Sequence, residues 1–155
     1  DTKKGYLAQD KNGKWGGGLG NPPSNSKVGF GGGIPMIVGG ELYGESGTQG
    51  ILHSEGYWLQ NNTTTGKVIL GYSSATNSMI LVVSPDELVE GGMTLDEIRD
   101  HLSAVGYDYV FAFDGGSSAT LVSGGTNVLV DPSTVKDNTI PTGITIKGSD
   151  AEVEE

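Results

Sequence analysis

The chain has 155 residues, a net charge of -10 and no cysteine, enough for one ordinary domain and too little to argue for two. Acidity without a Lys/Arg cluster makes nucleic acid and anionic membrane poor partners, and the lack of Cys removes disulfides and thiolate metal sites. No apolar run approaches the roughly 20 residues of a membrane-spanning helix. Glycine is the outlier, at 27 residues without a repeating period, which predicts many tight turns between short strands.

In chain order, Gly5 to Gly33 is the least ordered-looking part. Asn12-Gly13, between Tyr6-Leu7-Ala8 and Trp15, is a short hairpin signal, and the rest of this stretch reads as loop. Ile34 to Val38 and Glu41-Leu42-Tyr43 predict two strands about a Gly39-Gly40 turn. A glycine-punctuated loop with His53 and Glu55 follows, both read as exposed polar residues, then a short strand at Tyr57-Trp58-Leu59-Gln60. Asn61-Asn62-Thr63-Thr64 holds overlapping glycosylation acceptors, meaningful only in a glycosylating secretory pathway. Lys67 to Tyr72 and Ser78 to Val83 predict a hairpin around Ser73–Asn77. Thr94-x-x-Glu97 is a capping box that starts a helix over 94–105. Leu95, Ile98, Leu102 and Val105 form its apolar stripe, Asp96, Arg99, Asp100 and Ser103 point away, and Gly106 closes it. With the strands on either side this makes a βαβ unit, which predicts parallel strands and a right-handed crossover. Thr126 to Val130 and Ile144-Thr145-Ile146 are expected to complete the sheet. The fold class is therefore α+β or α/β: a mixed twisted sheet, one helix and many Gly-rich loops.

The chemistry centres on Tyr109-Val110-Phe111-Ala112-Phe113-Asp114-Gly115-Gly116-Ser117-Ser118, a buried strand running into one carboxylate and a small-residue turn. Backbone amides of such a turn, with the Ser117 and Ser118 hydroxyls, can converge on an anion. A carboxylate at a strand's carboxyl end is well placed for catalysis or ligand binding in open α/β sheets. Asp114 also reads as the cap of its own Asx turn.

This stretch resembles the Asp-Gly-Gly-Gly-Ser-Ser-Thr signature of the phosphodiester glycosidase family. Gly92-Met93-Thr94-Leu95-Asp96-Glu97-Ile98 is similar to that family's helix start. The Leu102…Gly106…Val110-x-Ala112 run and Gly33-Ile34-Pro35-Met36-Ile37-Val38-Gly39-Gly40 resemble two further family segments. The resemblance covers roughly residues 29 to 146. It implies one domain over residues 1–148, matched poorly at 1–33; the crowding of Asp150, Glu152, Glu154 and Glu155 marks 149–155 as an acidic tail. It also implies a hydrolase acting on a glycan or sugar 1-phosphodiester, with Asp114 and Lys67 as catalytic candidates and Gly115, Gly116, Ser117 and Ser118 as substrate-binding candidates. Lys67 stands where the family usually has an Arg, which keeps the charge and loses the bidentate fork. Ser117 replaces the third Gly and Ala119 the second Ser of the signature. In place of a later family Arg the chain offers only Lys136 and Asn138.

Cleavage at an anomeric carbon normally takes two carboxyl groups, and Asp114's partner would come from Glu41, Glu45, Glu55, Asp86 or Glu90. A phosphate leaving group shifts the requirement toward neutralising its charge. Lys67 has a second reading, as a strand-edge charge that discourages aggregation. No cofactor is required, although Asp114 with turn hydroxyls and carbonyls offers oxygen ligands of the kind Ca²⁺ or Mg²⁺ takes. Gly-Gly-Ser-Ser-Ala is not a nucleophile elbow. The expected location is extracellular or virion-associated, on a phage or cell surface. The alternative function is a non-catalytic carbohydrate-binding or structural module that keeps the fold without the Arg positions. A fragment of a longer protein is a third reading, and nothing in the sequence sets the oligomeric state.

Overall fold

The computed structural model describes residues 4–44, 66–84, 93–113, 119, 121–124, 126–127 and 144. In chain order the elements are β1 (Gly5–Gln9), β2 (Trp15–Leu19), β3 (Val28–Val38), β4 (Glu41–Leu42), β5 (Lys67–Ser73), β6 (Ser78–Ser84), α1 (Leu95–Ala104), β7 (Tyr109–Ala112), β8 (Val122–Ser123) and β9 (Thr126–Asn127). Seven strands form one sheet in the order β2-β1-β3-β7-β5-β6, with β4 paired to β3.

The three expected hairpins form. β1 and β2 pair from Gln9–Trp15 outward, closed by Gly13 at φ +84° and by the Asp10 carboxylate, which accepts from the amides of Asn12 and Lys14. β3 turns into β4 through Gly39 and Gly40, both at positive φ. β5 and β6 pair over seven residues, from Ser73–Ser78 to Lys67–Ser84.

The stretch before Gly33 is loop only in part: residues 20–27 connect β2 to β3, whereas most of its glycines lie in β1, β2 and β3, and β3 runs eleven residues, pairing β1 with its first half and β7 with its second. Two irregularities let one strand serve both partners. Gly32, at φ +82°, falls where the β1 register shifts. The β7 register shifts between Pro35 and Ile37. A bulge is also where a sheet tolerates the missing N–H of a buried proline.

The βαβ expectation needs correcting. β6 and β7 do run in the same direction, but β5 lies between them and pairs antiparallel with both. Each ladder among the described residues is antiparallel. The crossover helix thus spans an inserted strand, a split form of the motif. Thr126–Asn127 pairs with Val122–Ser123 in a separate two-stranded sheet. Residues 57–60, 128–130 and 145–146, also read as strand, lie outside the described residues.

Alternation splits the core across the sheet. On one face Leu95, Ile98 and Leu102 of α1 pack on Met36, Ile37, Ile69, Val110 and Ala112. On the other, Phe111, Leu70, Tyr72 and Leu7 pack with Tyr109, Phe113, Phe30 and Trp15, so β1 and β2 cover that side. The helix departs from its expected faces at two positions. Val105 is exposed, whereas Arg99 is completely buried. Arg99 Nη1 donates to the Tyr43 carbonyl at 2.7 Å and pairs with Asp96, while Nε donates to Asp100.

The glycines of β1 to β3 have a packing reason. A Cβ on Gly5 would lie 2.2 Å from Cε1 of Phe111, and one on Gly17 would lie 2.8 Å from Tyr109 and 3.0 Å from Phe111. One on Gly33 would meet Phe111 at 2.9 Å. The Phe111 ring therefore lies directly against bare backbone. Gly5→Ala is expected to cost about 1–3 kcal/mol through overpacking, read as a lower urea midpoint. The cost should shrink in a Phe111→Leu background, because the two positions share one contact; an undiminished cost would remove the ring as the cause.

Candidate active site at the carboxyl end of β7

Three strand ends meet at one edge of the sheet. β5 begins there with Lys67, and its antiparallel neighbours β6 and β7 end there with Ser84 and Ala112. Lys67 lies opposite Ser84, and Ile69 opposite Ala112. The Phe113 amide donates to the Val68 carbonyl at 2.8 Å, which carries the β5–β7 ladder one residue past Ala112. Phe113 is the residue before Asp114 in the chain, and Val68 the residue after Lys67.

Lys67 is only 4% exposed. Since β5 is an interior strand, the reading of Lys67 as an edge charge against aggregation falls. Strand alternation puts it on the face of Ile69, and Ser84 on the face of Val82, both part of the helix-side core. The Ser84 hydroxyl oxygen is buried and has no hydrogen-bond partner among the described residues. The strand expected over Ser78 to Val83 stops one residue short of Ser84, which β6 includes. The signal that could have found it is the hairpin itself, because pairing outward from Ser73 and Ser78 sets Lys67 opposite Ser84.

Asp114, Gly115, Gly116, Ser117 and Ser118 lie outside the described residues, as do Glu45, His53, Glu55, Asp86, Glu90, Lys136 and Asn138. Of the candidate partner carboxylates only Glu41 is described, and it sits at the wrong end. It pairs with Val38, which is opposite Tyr109 at the start of β7, about 13 Å of strand from Phe113. The described aspartates all serve the fold. Asp10 holds the first hairpin turn, Asp96 and Asp100 pair with Arg99, and Asp108 accepts from the amide and hydroxyl of Ser74. Arg99 is the chain's single arginine, and its guanidinium is committed to Tyr43, Asp96 and Asp100. Among the described residues no group of three or more His, Asp or Glu side chains converges as a metal site.

The helix also addresses this edge. Its carboxyl end is fixed at the opposite edge, where Tyr107 donates to Leu102 O and Asp108 to Tyr72 O. Ten residues span about 15 Å, so the first turn returns toward Lys67. That turn is no anion cradle, because Thr94 and Glu97 cap each other and Asp96 and Glu97 add negative charge.

The family follows from comparison with known proteins. The sequence model of the family described as phosphodiester glycosidase matches residues 7–147. The chain belongs to the phosphodiester glycosidase family. No curated protein matches it. Among solved structures it is similar to the zebrafish N-acetylglucosamine-1-phosphodiester alpha-N-acetylglucosaminidase catalytic domain, auto-inhibited by its pro-peptide. The TM-score is 0.62 at 17% identity, over 81% of this chain and 44% of that one. A hypothetical protein from Synechocystis gives a TM-score of 0.50 at 15% identity, over 87% of this chain and 32% of that one. This chain thus spans less than half the length of either structure, and at these identities the likeness is one of fold.

The capping box sets a pH response. Hydrogen bonds from the Thr94 amide, and then from its hydroxyl, hold the Glu97 carboxyl below its ordinary value of 4.5. A lowered folded value means that Glu97 contributes stability above about pH 4.5 and loses it as pH falls through the folded value. Glu97→Ala should therefore melt lower than wild type at pH 7, with the gap closing on acidification below 4.5. A gap that does not change with pH would contradict this.

Proposed function

We propose that this protein is a glycoside hydrolase that cleaves a sugar 1-phosphodiester or related glycosyl bond in a surface glycan, outside the cell or on a virion. Asp114 is its catalytic carboxyl group, and Lys67 neutralises the departing phosphate. The observation that carries this reading is the buried Lys67 at the start of β5, beside the Val68–Phe113 hydrogen bond that leads the chain into Asp114. Membership of the phosphodiester glycosidase family supports the bond type.

Water attacks the anomeric carbon and gives up a proton to Asp114 or to solvent, the anomeric C–O bond breaks, and the phosphate monoester leaves on its bridging oxygen with the bonding pair. A phosphate monoester leaves at low pKa, so stabilising its charge matters more than protonating its oxygen. Lys67, almost fully buried, acts at reduced dielectric and is the more effective for it. Gly115, Gly116, Ser117 and Ser118 supply amide and hydroxyl donors to the substrate, and Asp114 activates the water or acts on the anomeric carbon.

One observation favours a second reading, a non-catalytic carbohydrate-binding module. The single arginine is spent on Tyr43 and two aspartates, so no guanidinium remains to grip a phosphate bidentately. Steady-state kinetics on a sugar 1-phosphodiester separate the two. Asp114→Ala should lose about 10²–10⁴-fold in kcat, and Lys67→Ala about 10²–10³-fold in kcat/KM, with the far-ultraviolet dichroism retained. Turnover within twofold of wild type in both variants would overturn the assignment, and sugar binding without product would favour the module.

A further inference from the structure

The hydroxyl of Ser84 is the described side-chain group that the fold buries and leaves without a hydrogen bond. Native interiors seldom tolerate this without a purpose, because the oxygen has given up water and received nothing in return. Its position is specific. Ser84 ends β6 directly opposite Lys67, and cross-strand neighbours on one face have Cβ atoms about 5 Å apart. The next residues inward on that face, Val82 and Ile69, are apolar, as is Ala112 opposite Ile69. An ammonium and an unspent hydroxyl thus close the polar end of an otherwise apolar stripe.

We infer that Ser84 and Lys67 together form an anion subsite that takes a phosphoryl oxygen. Lys67 supplies the charge and Ser84 a second donor that decides between a phosphate and a neutral leaving group. The inference rests on the proposed glycosidase reading for its choice of phosphate. A serine hydroxyl turns between staggered χ1 wells of similar energy, so one rotation aims it at an anion held by Lys67. A phosphoryl oxygen has lone pairs for both donors, and each bond to a charged acceptor is stronger than a neutral one. The vacant hydrogen bond is then the capacity that the ligand fills. Ser84 in this role sets specificity and takes no part in bond breaking.

Thermal unfolding tests this with inorganic phosphate titrated at constant ionic strength, chloride serving as the control, on the whole chain. Phosphate should raise the melting temperature of wild type, and the apparent Kd should weaken about tenfold in Ser84→Ala, the loss of one charge-assisted hydrogen bond. Without phosphate, Ser84→Ala should melt no lower than wild type, because it deletes an unsatisfied group. Ser84→Thr should retain phosphate binding. Equal Kd values for wild type and Ser84→Ala, no phosphate response in wild type, or a lower melting temperature for Ser84→Ala with unchanged binding would each overturn the inference. Phosphate binding needs no turnover. A wild type that binds phosphate through Ser84 yet releases no sugar defeats the glycosidase reading alone. An active enzyme whose phosphate affinity ignores Ser84→Ala defeats the subsite alone.

Discussion

The structure depends on one contact, the Phe111 side chain of β7, its ring laid against the glycine backbone of β1 and β2 and its Cβ against Gly33 of β3. A fully buried phenylalanine contributes about 2–3 kcal/mol by transfer, but its position matters more than its size. Phe111 joins the two halves of the sheet, because β3 turns one half of its length to β1 and the other to β7. Side chains at Gly5, Gly17 or Gly33 would force the layers apart. The richness in glycine, which in isolation suggests loops, is here what allows an aromatic side chain to reach backbone.

That contact also locates the candidate chemistry. Phe111 lies three residues before Asp114, and the alternation that sends Tyr109, Phe111 and Phe113 to one face sends Val110 and Ala112 to the helix face. Packing on both faces, with the Phe113–Val68 hydrogen bond at its end, fixes the last residues of β7 at the edge where Lys67 and Ser84 lie. The far edge takes the structural polar groups, Glu41 beside Val38 and Asp108 on Ser74. Burying an ammonium group is costly, and the place of Lys67 on an interior strand excludes the edge-charge explanation for it.

The local signals in the sequence were legible where chemistry is local. Asn12-Gly13, Gly39-Gly40, the Thr94–Glu97 capping box and Gly106 each mark the turn or helix end that forms, because each satisfies a backbone requirement within a few residues. Pairing between distant strands was not legible. Nothing in residues 78–113 announces that β5 inserts between β6 and β7, and the strands hidden in Gly5–Gly33 gain their stability from Phe111, far along the chain. Arg99 reads as solvent-facing because periodicity cannot foresee that the Tyr43 carbonyl would come to meet it. Of the candidate site, the resemblance singled out Lys67 and Asp114 by residue type. The role proposed for Ser84 rests on hairpin register and on a missing hydrogen bond, which only the folded chain reveals.

The most direct test of the account is hydrolysis of a sugar 1-phosphodiester in water enriched in ¹⁸O, with mass analysis of both products. Attack at the anomeric carbon predicts the label in the released sugar and none in the phosphate monoester. Label in the phosphate would mean that the P–O bond breaks and that the enzyme is a phosphodiesterase of another kind; no label in either product, with substrate intact, would mean that the fold carries no hydrolytic site for this bond.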